Sequence, residues 1–252
     1  AISHMANIQY VRQKETKGLG HAVLCAKAFV GNEPFAVLYG DDVIMGEDPV
    51  AAQLCRAYAQ YRKACVGIKE VSPADIVKYS SMKLDHLSGN LYNITDMIEK
   101  PAPGQEFSLF SILGRCLLTP EIYGILEKTQ PGAGGEIQLT DAMAVLARTG
   151  GMTGVDFTGK RYDMGNKLGV MEAQVETALK HPEIGPAFRA YLKELPKRCR
   201  ALKAQGQKFL LFRAAKRISA VTAPEQPQSR KQPAAVLYKP SHKKCRACPQ
   251  YA

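Results

Sequence analysis

Three short segments of the sequence place carboxylates and a lysine after strand-like runs. Asp41-Asp42 and Glu99-Lys100 each directly follow an apolar run, and Asp163 comes after the strand-like residues 155–157. Magnesium prefers hard oxygen ligands, usually one or two carboxylates completed by substrate phosphates, and a lysine supplies a compact positive charge to a phosphoryl group. The three segments therefore predict a phosphate-handling site. Each alone also fits a turn, a helix cap or a surface ion pair, so the site requires a fold that brings them together.

Hydrophobic periodicity predicts alternating strands and helices from residue 8 to about residue 195. The predicted strands are 8–12, 35–40, 65–68, 76–79, 91–98 and 107–118, and the helices are about 20–30, 48–62, 120–128, 138–148, 167–180 and 185–195. Short strands separated by helices indicate an α/β protein. Beyond Leu195 the periodicity stops, so the sequence predicts a domain over residues 1–196 and a basic, disordered tail over 197–252.

Composition narrows the class of protein further. A chain of 252 residues can bury a full core, and no apolar run approaches the length that spans a bilayer. Seven cysteines without framework spacing indicate reduced thiols, and hence a cytoplasmic protein. Residues 197–252 hold 14 Lys/Arg against one acid and carry +13, which leaves −2 for the rest of the chain. The net charge of +11 therefore belongs to the tail.

A glycine turn joins the first predicted strand to the first predicted helix. Gly18 and Gly20 stand in this turn, where glycine lets backbone N–H groups approach a ligand at a helix start. A dinucleotide-binding fingerprint is the rival interpretation, since Asp41 lies 21 residues after Gly20. Val23 stands where that fingerprint needs a third Gly or Ala, which disfavours it. A plain glycine turn stays an equal alternative, and His21 has no partner at metal-ligand spacing.

Taken together and in this order, the segments resemble the bacterial UTP–glucose-1-phosphate uridylyltransferases (UDP-glucose pyrophosphorylases), a family of sugar nucleotidyltransferases. The similarity runs from Ile8 to Leu195. The stretches that carry it are VRQ and KGLGHAVLCA within 11–26, PFAVLYGDD at 34–42, IEKPAPGQEFSLFSILGR at 98–115, PGAGGEIQLTDA at 131–142 and DMGNKLG at 163–169.

The resemblance implies a Rossmann-like mixed sheet flanked by helices, magnesium as cofactor, and a homo-oligomer when full length. It also implies a reaction in which an oxygen of glucose 1-phosphate attacks the α-phosphorus of UTP, so that UDP-glucose forms and pyrophosphate leaves. The implied roles are uracil recognition by Gln13 and the backbone of Gly18, magnesium binding by Asp41 and Asp163, binding of glucose hydroxyls by Glu99, and binding of the sugar phosphate by Lys100.

Two departures from the family pattern lead us to expect a catalytically incomplete fragment. The family's glycine-rich loop of the form GxGTR, which cradles the triphosphate, does not occur in these 252 residues. We therefore expect the first sheet strands to be missing and the sheet edge to be unprotected. Ser80 follows Tyr79 where the family usually has Gly, so we expect its side chain to crowd the sugar pocket.

Two alternatives stay open. Another sugar-1-phosphate nucleotidyltransferase, of the thymidylyl type, shares most of these features, although the DMGNKLG segment favours the UDP-glucose type. A non-catalytic remnant is the other, with a basic tail that binds nucleic acid non-specifically through its charge. The tail contains no recognisable nucleic-acid module, so no specific nucleic-acid partner is predicted.

Overall fold

The computed structural model describes residues 6–204 and 236–238, which fall into two compact units. The first unit comprises the described residues up to Arg161 together with 236–238, and the second begins at Tyr162. Of the predicted tail over 197–252, residues 205–235 and 239–252 lie outside the described residues.

A seven-stranded mixed sheet, in the order β4-β5-β7-β3-β6-β1-β9, forms the centre of the first unit. Strands β3 and β7 run parallel, whereas β1 and β6, β3 and β6, β4 and β5, β5 and β7, and β1 and β9 pair antiparallel. A separate two-stranded sheet joins β2 and β8, and the boundary between the units falls within β8. The strands are β1 Phe35–Leu38, β2 Asp42–Met45, β3 Cys65–Glu70, β4 Ser80–Ser88, β5 Leu91–Glu99, β6 Phe110–Leu118, β7 Met152–Asp156, β8 Lys160–Asp163 and β9 Val236–Tyr238.

Helices cover both faces of the large sheet through two apolar clusters. The larger cluster contains residues of α1, α2, α4 and α5, and the smaller contains the buried face of α3. Cys116 belongs to the larger cluster and its neighbour Leu117 to the smaller, and successive side chains of a strand point to opposite faces. The helices of this unit are α1 Leu19–Cys25, α2 Lys27–Val30, α3 Val50–Tyr61, α4 Glu121–Leu126 and α5 Leu139–Gly150.

The second unit contains two helices that pack on each other, α6 Lys167–Lys180 and α7 Gly185–Ala204. Asn166 caps α6, because its side-chain oxygen accepts a hydrogen bond from the backbone N–H of Leu168 at 2.9 Å. Throughout the described part of the chain, no helix is both long and apolar enough to cross a membrane.

The fold confirms the predicted α/β class with a mixed sheet flanked by helices. Three local predictions are wrong. Residues 8–12 form no strand, because Ile8, Tyr10 and Val11 are more than half exposed and find no sheet to pair with in the described residues. Residues 76–78 form a 3₁₀ turn that leads into β4, and α7 continues through Pro196 to Ala204, nine residues past its predicted end.

Candidate active site

Four of the predicted site residues line one cavity of about 220 Å³ in the first unit. Asp41 reaches it from the turn between β1 and β2, and Ser80 begins β4. Ser80 is paired with Glu99 at the end of β5, and Lys100 follows directly. The β4–β5 ribbon and the β1–β2 turn thus bring together residues that lie about sixty positions apart in the sequence.

Lys100 has an unusual backbone conformation for its residue type. Its φ is +45°, in the left-handed region that L-residues rarely adopt, whereas a residue before proline usually has an extended backbone. The Lys100 N–H donates to the carbonyl oxygen of Tyr79 at 2.9 Å, and this hydrogen bond fixes the chain across the hairpin. A conformation that costs about 1–3 kcal/mol persists where neighbouring structure imposes it, which is common at functional sites.

Glu99 is a largely buried carboxyl group beside the ammonium group of Lys100. Burial raises the pKa of Glu99 above its ordinary value, while a hydrogen bond from Thr140 and the charge of Lys100 oppose that rise. The Thr140 hydroxyl donates to Glu99 Oε2 at 2.8 Å. This contact uses one carboxylate oxygen, and the other stays available to accept hydrogen bonds from hydroxyl groups of a ligand.

Ser80 and Ser81 anchor the segment that leads into β6. Ser80 Oγ accepts a hydrogen bond from the backbone N–H of Ile112 at 3.2 Å, so this hydroxyl is directed toward β6. Ser81 is fully buried, and its Oγ accepts from the N–H groups of Phe107 and Ser108 at 2.9 and 3.0 Å. The crowding of a sugar by Ser80 stays a prediction.

Asp42 forms a buried ion pair at the base of the cavity. Its side chain is 6% exposed and bonds to the guanidinium of Arg161, which is 19% exposed. The same guanidinium lies over the ring of Tyr79, 5.4 Å from its centroid. Arg115 Nη2 donates to the carbonyl oxygen of Asp42 at 3.0 Å. Of the two adjacent aspartates, Asp42 therefore has a structural role, and Asp41 is the one whose carboxylate lines the cavity without an ion-pair partner in the described residues.

Gln13 and Gly18 do not line this cavity. Gln13 Nε2 donates to the Gly18 carbonyl oxygen at 3.1 Å and lies 2.9 Å from His21 Nδ1. Gly18 has a φ of +93°, and a Cβ there would lie 2.9 Å from the Ile137 carbonyl oxygen. Glycine is thus required at this turn, and the two residues predicted to read uracil contact each other.

Asp163 lies in the second unit, where its Oδ1 accepts a hydrogen bond from the Gly165 N–H at 2.9 Å. The packing between Gly169 and the Asp163 backbone is tight, since a Cβ on Gly169 would lie 2.3 Å from the Asp163 carbonyl oxygen. These contacts fix Asp163 within its own unit. Its convergence with Asp41 on one metal ion stays a prediction.

The donor chemistry of the cavity fits magnesium. Asp41 supplies a hard oxygen ligand, and no ion pair or hydrogen bond within the described residues uses its carboxylate. The described residues contain no group of three or more His, Cys, Asp or Glu side chains arranged for a metal. Magnesium does not need such a group, because it is commonly held by one or two carboxylates together with phosphate oxygens and water.

Sequence reasoning missed two residues that shape the site, Arg161 and Thr140. Arg161 stands two positions before Asp163 on β8, so a strand-face argument could have drawn attention to it. Thr140 lies in the first turn of α5 and reaches a residue 41 positions away, which no local pattern indicates.

The fold and the site together define a class of protein. The sequence profile of the Nucleotidyl transferase family matches residues 2–179, which is more than half of the chain. The chain belongs to this nucleotidyl transferase family.

Two relatives of known name show which members of the family this chain is similar to. The chain is 43% identical over 197 residues to a UTP–glucose-1-phosphate uridylyltransferase of Bacillus subtilis, covering 78% of this chain and 66% of that one. It is 44% identical over 191 residues to a Staphylococcus epidermidis protein of the same name, covering 76% and 66%. The chain therefore spans slightly less than two thirds of the length of these relatives.

Solved structures agree with the sequence relatives. A UDP-glucose pyrophosphorylase complexed with UDP-glucose superposes with a TM-score of 0.66 at 40% identity, covering 69% of this chain and 66% of that one. A UTP-bound enzyme from Acinetobacter baumannii superposes with a TM-score of 0.66 at 32% identity, covering 73% and 65%. These similarities confirm the resemblance inferred from the motifs.

Proposed function

We propose that this chain carries the sugar-phosphate side of a UTP–glucose-1-phosphate uridylyltransferase site. The observation that supports this most strongly is the cavity where Asp41, Glu99 and Lys100 meet. A carboxylate for a metal, a buried acid for hydroxyl groups and an ammonium group for a phosphate match the chemistry of glucose 1-phosphate. The relatives named as uridylyltransferases support the same assignment.

Each of the proposed site residues binds one part of a substrate or holds it in position. Lys100 binds the phosphate of glucose 1-phosphate, and its imposed backbone conformation limits where its ammonium group can lie. Glu99 accepts hydrogen bonds from the glucose hydroxyl groups. Gln13 and the Gly18 backbone contact the uracil base. Holding the sugar phosphate oxygen in line with the α-phosphorus of UTP is the main contribution that such a site makes to the rate.

Asp41 and Asp163 are the proposed magnesium ligands. The ion, when bound, offsets the negative charge of the phosphates and of the leaving pyrophosphate. Asp42 is not a proposed ligand, because Arg161 neutralises it. We propose a cytoplasmic location, because the seven cysteines of the sequence lack the spacing of a disulfide framework, which is typical of proteins whose thiols stay reduced. Self-association stays a prediction.

Calorimetric titration with glucose 1-phosphate tests the assignment of Lys100. The Lys100→Ala variant should bind the ligand roughly 10- to 100-fold more weakly, because a charge-assisted hydrogen bond is lost. Lys78→Ala is the matched control. Lys78 lines the same cavity, but its ammonium group bonds to Asp75 at 2.7 Å, so its removal should change affinity by less than about threefold. Equal losses in both variants would contradict the assignment.

A coupled pyrophosphate-release assay tests the reaction itself. Release that requires both UTP and glucose 1-phosphate would support the proposal. We expect slow turnover from this chain alone, because the GxGTR loop does not occur in it. Release at the same rate with galactose or mannose 1-phosphate would contradict the assignment to glucose.

A further inference from the structure

We infer that His21 is a positioning residue that holds the Gln13 side-chain amide in one orientation and thereby selects uracil over cytosine. This inference rests on the proposed function, in which Gln13 contacts the base. The juxtaposition that carries it is the contact of Gln13 Nε2 with both the Gly18 carbonyl oxygen and His21 Nδ1.

The Gly18 carbonyl fixes which end of the Gln13 amide faces it. A carbonyl oxygen can only accept a hydrogen bond, so the atom 3.1 Å away must be the NH₂ group. Gly18 in turn has a backbone conformation that glycine adopts readily and other residues rarely do, with φ +93° and ψ 177°. It packs against Ile137. The position of this carbonyl is therefore set by the turn, and it imposes one orientation on the amide.

His21 reinforces that orientation and fixes its own tautomer. The Gln13 NH₂ group lies 2.9 Å from His21 Nδ1, and two donors cannot share that contact. Nδ1 must therefore be the unprotonated acceptor, and the ring proton lies on Nε2. Cys25 Sγ lies 3.8 Å from Nε2 and 4.0 Å from Nδ1, so the sulfur does not decide between the two nitrogens and the Gln13 contact does. His21 thus accepts a hydrogen bond from the second N–H of the Gln13 amide.

The consequence is that Gln13 presents its Oε1 acceptor to a ligand. Within residues 6–204, no hydrogen bond uses Oε1. Uracil offers an N3–H donor that matches a carbonyl oxygen. Cytosine offers an unprotonated N3 at the same position, so the two lone pairs would repel. If the amide rotated, its NH₂ group would suit cytosine instead. His21 and Gly18 together prevent that rotation.

Titration of the full 252-residue chain with UMP and CMP tests the inference, and His21→Phe and His21→Asn serve as the variants. Phenylalanine keeps a ring of similar size and removes the acceptor, whereas asparagine keeps an oxygen acceptor close to the position of Nδ1. Wild-type protein should bind UMP at least about tenfold more tightly than CMP. The preference should fall severalfold in His21→Phe and be retained in His21→Asn.

The ¹⁵N chemical shifts of His21 give a second readout that needs no ligand. They should show a proton on Nε2 and none on Nδ1. A proton on Nδ1, or an unchanged UMP preference in His21→Phe, would overturn the inference and leave the proposed function intact. Failure of the wild-type chain to bind UMP, while it binds glucose 1-phosphate, would instead overturn the nucleotide side of the proposed function, and the inference with it.

Discussion

Removal of Arg161 should destabilise the first unit far more than removal of a comparable surface arginine. Arg161→Met keeps much of the side-chain volume but removes the guanidinium group that forms an ion pair with the Asp42 carboxylate, which is 6% exposed. Breaking a buried ion pair from one side typically costs about 3–5 kcal/mol. Because Arg115 also lies close to Asp42 and interacts with it electrostatically, we expect a loss near the lower end, about 3 kcal/mol.

The double variant Asp42→Asn, Arg161→Met separates charge from packing. It removes both charges of the ion pair, so it should recover roughly 2 kcal/mol of the loss seen in the single variant. Urea denaturation followed by circular dichroism gives the free energy of unfolding, and an unchanged m-value would show that the unfolded state is unaffected.

Arg56→Met is the matched control for this cycle. Arg56 also bonds to an aspartate, Asp48, but the two side chains are 62% and 43% exposed. An exposed pair contributes at most about 1 kcal/mol. Equal losses in Arg161→Met and Arg56→Met, or no recovery in the double variant, would refute the structural role assigned to Asp42.

Three further predictions concern titration, backbone conformation and thiol reactivity. Glu99→Gln should raise the melting temperature at pH 7, because the raised pKa of Glu99 means that its ionised form destabilises the folded state. This gain in melting temperature should vanish when the pH falls below 4.5, the ordinary pKa of a glutamate. Gly18→Ala should cost about 2 kcal/mol or more in urea denaturation, since φ is +93° and the Cβ would lie 2.8 Å from Glu136 Cβ. Burial raises the pKa of Cys116 to about 12, so peptide mapping after thiol labelling should find Cys55 modified well before Cys116.

Each of these has a clear contrary outcome. A Glu99→Gln variant that is less stable at pH 7 would mean that the carboxylate is favourably paired. Gly124→Ala is the control for Gly18→Ala, since nothing lies within 4 Å of its added Cβ, and it should be neutral or slightly stabilising. Labelling of Cys116 at the rate of Cys55 would show that β6 opens readily.

Helices whose apolar residues recur at helical spacing were predictable from the sequence. Helix α6 begins at Lys167 and ends at Lys180 as predicted, and α3 lies within two residues of its predicted bounds. Residues 8–12 show where this reasoning fails, because an alternating pattern becomes a strand only if a sheet edge is available to pair with it. Strand order and the pairing of Ser80 with Glu99 depend on long-range contacts that periodicity does not encode.

The candidate site was predictable in its acidic and basic residues but not in their supporting contacts. Asp41, Glu99 and Lys100 were recognised because charged residues directly after apolar runs stand out. The positive φ of Lys100 contradicts the local rule for a residue before proline, and it results from a hydrogen bond to Tyr79 across the hairpin. Arg161 was missed because its role depends on a carboxylate 119 positions away.

Convergence of Asp41 and Asp163 on one divalent cation is the claim on which the proposed catalytic site depends most. Manganese accepts the same oxygen ligands as magnesium and broadens the NMR signals of nearby nuclei. On titration with Mn²⁺ in the presence of glucose 1-phosphate, the amide signals of Asp41 and Asp163 should broaden together, while that of Asp85 on the exposed β4–β5 hairpin should stay sharp. Broadening of only one of the two aspartates, or of neither, would contradict a shared metal site.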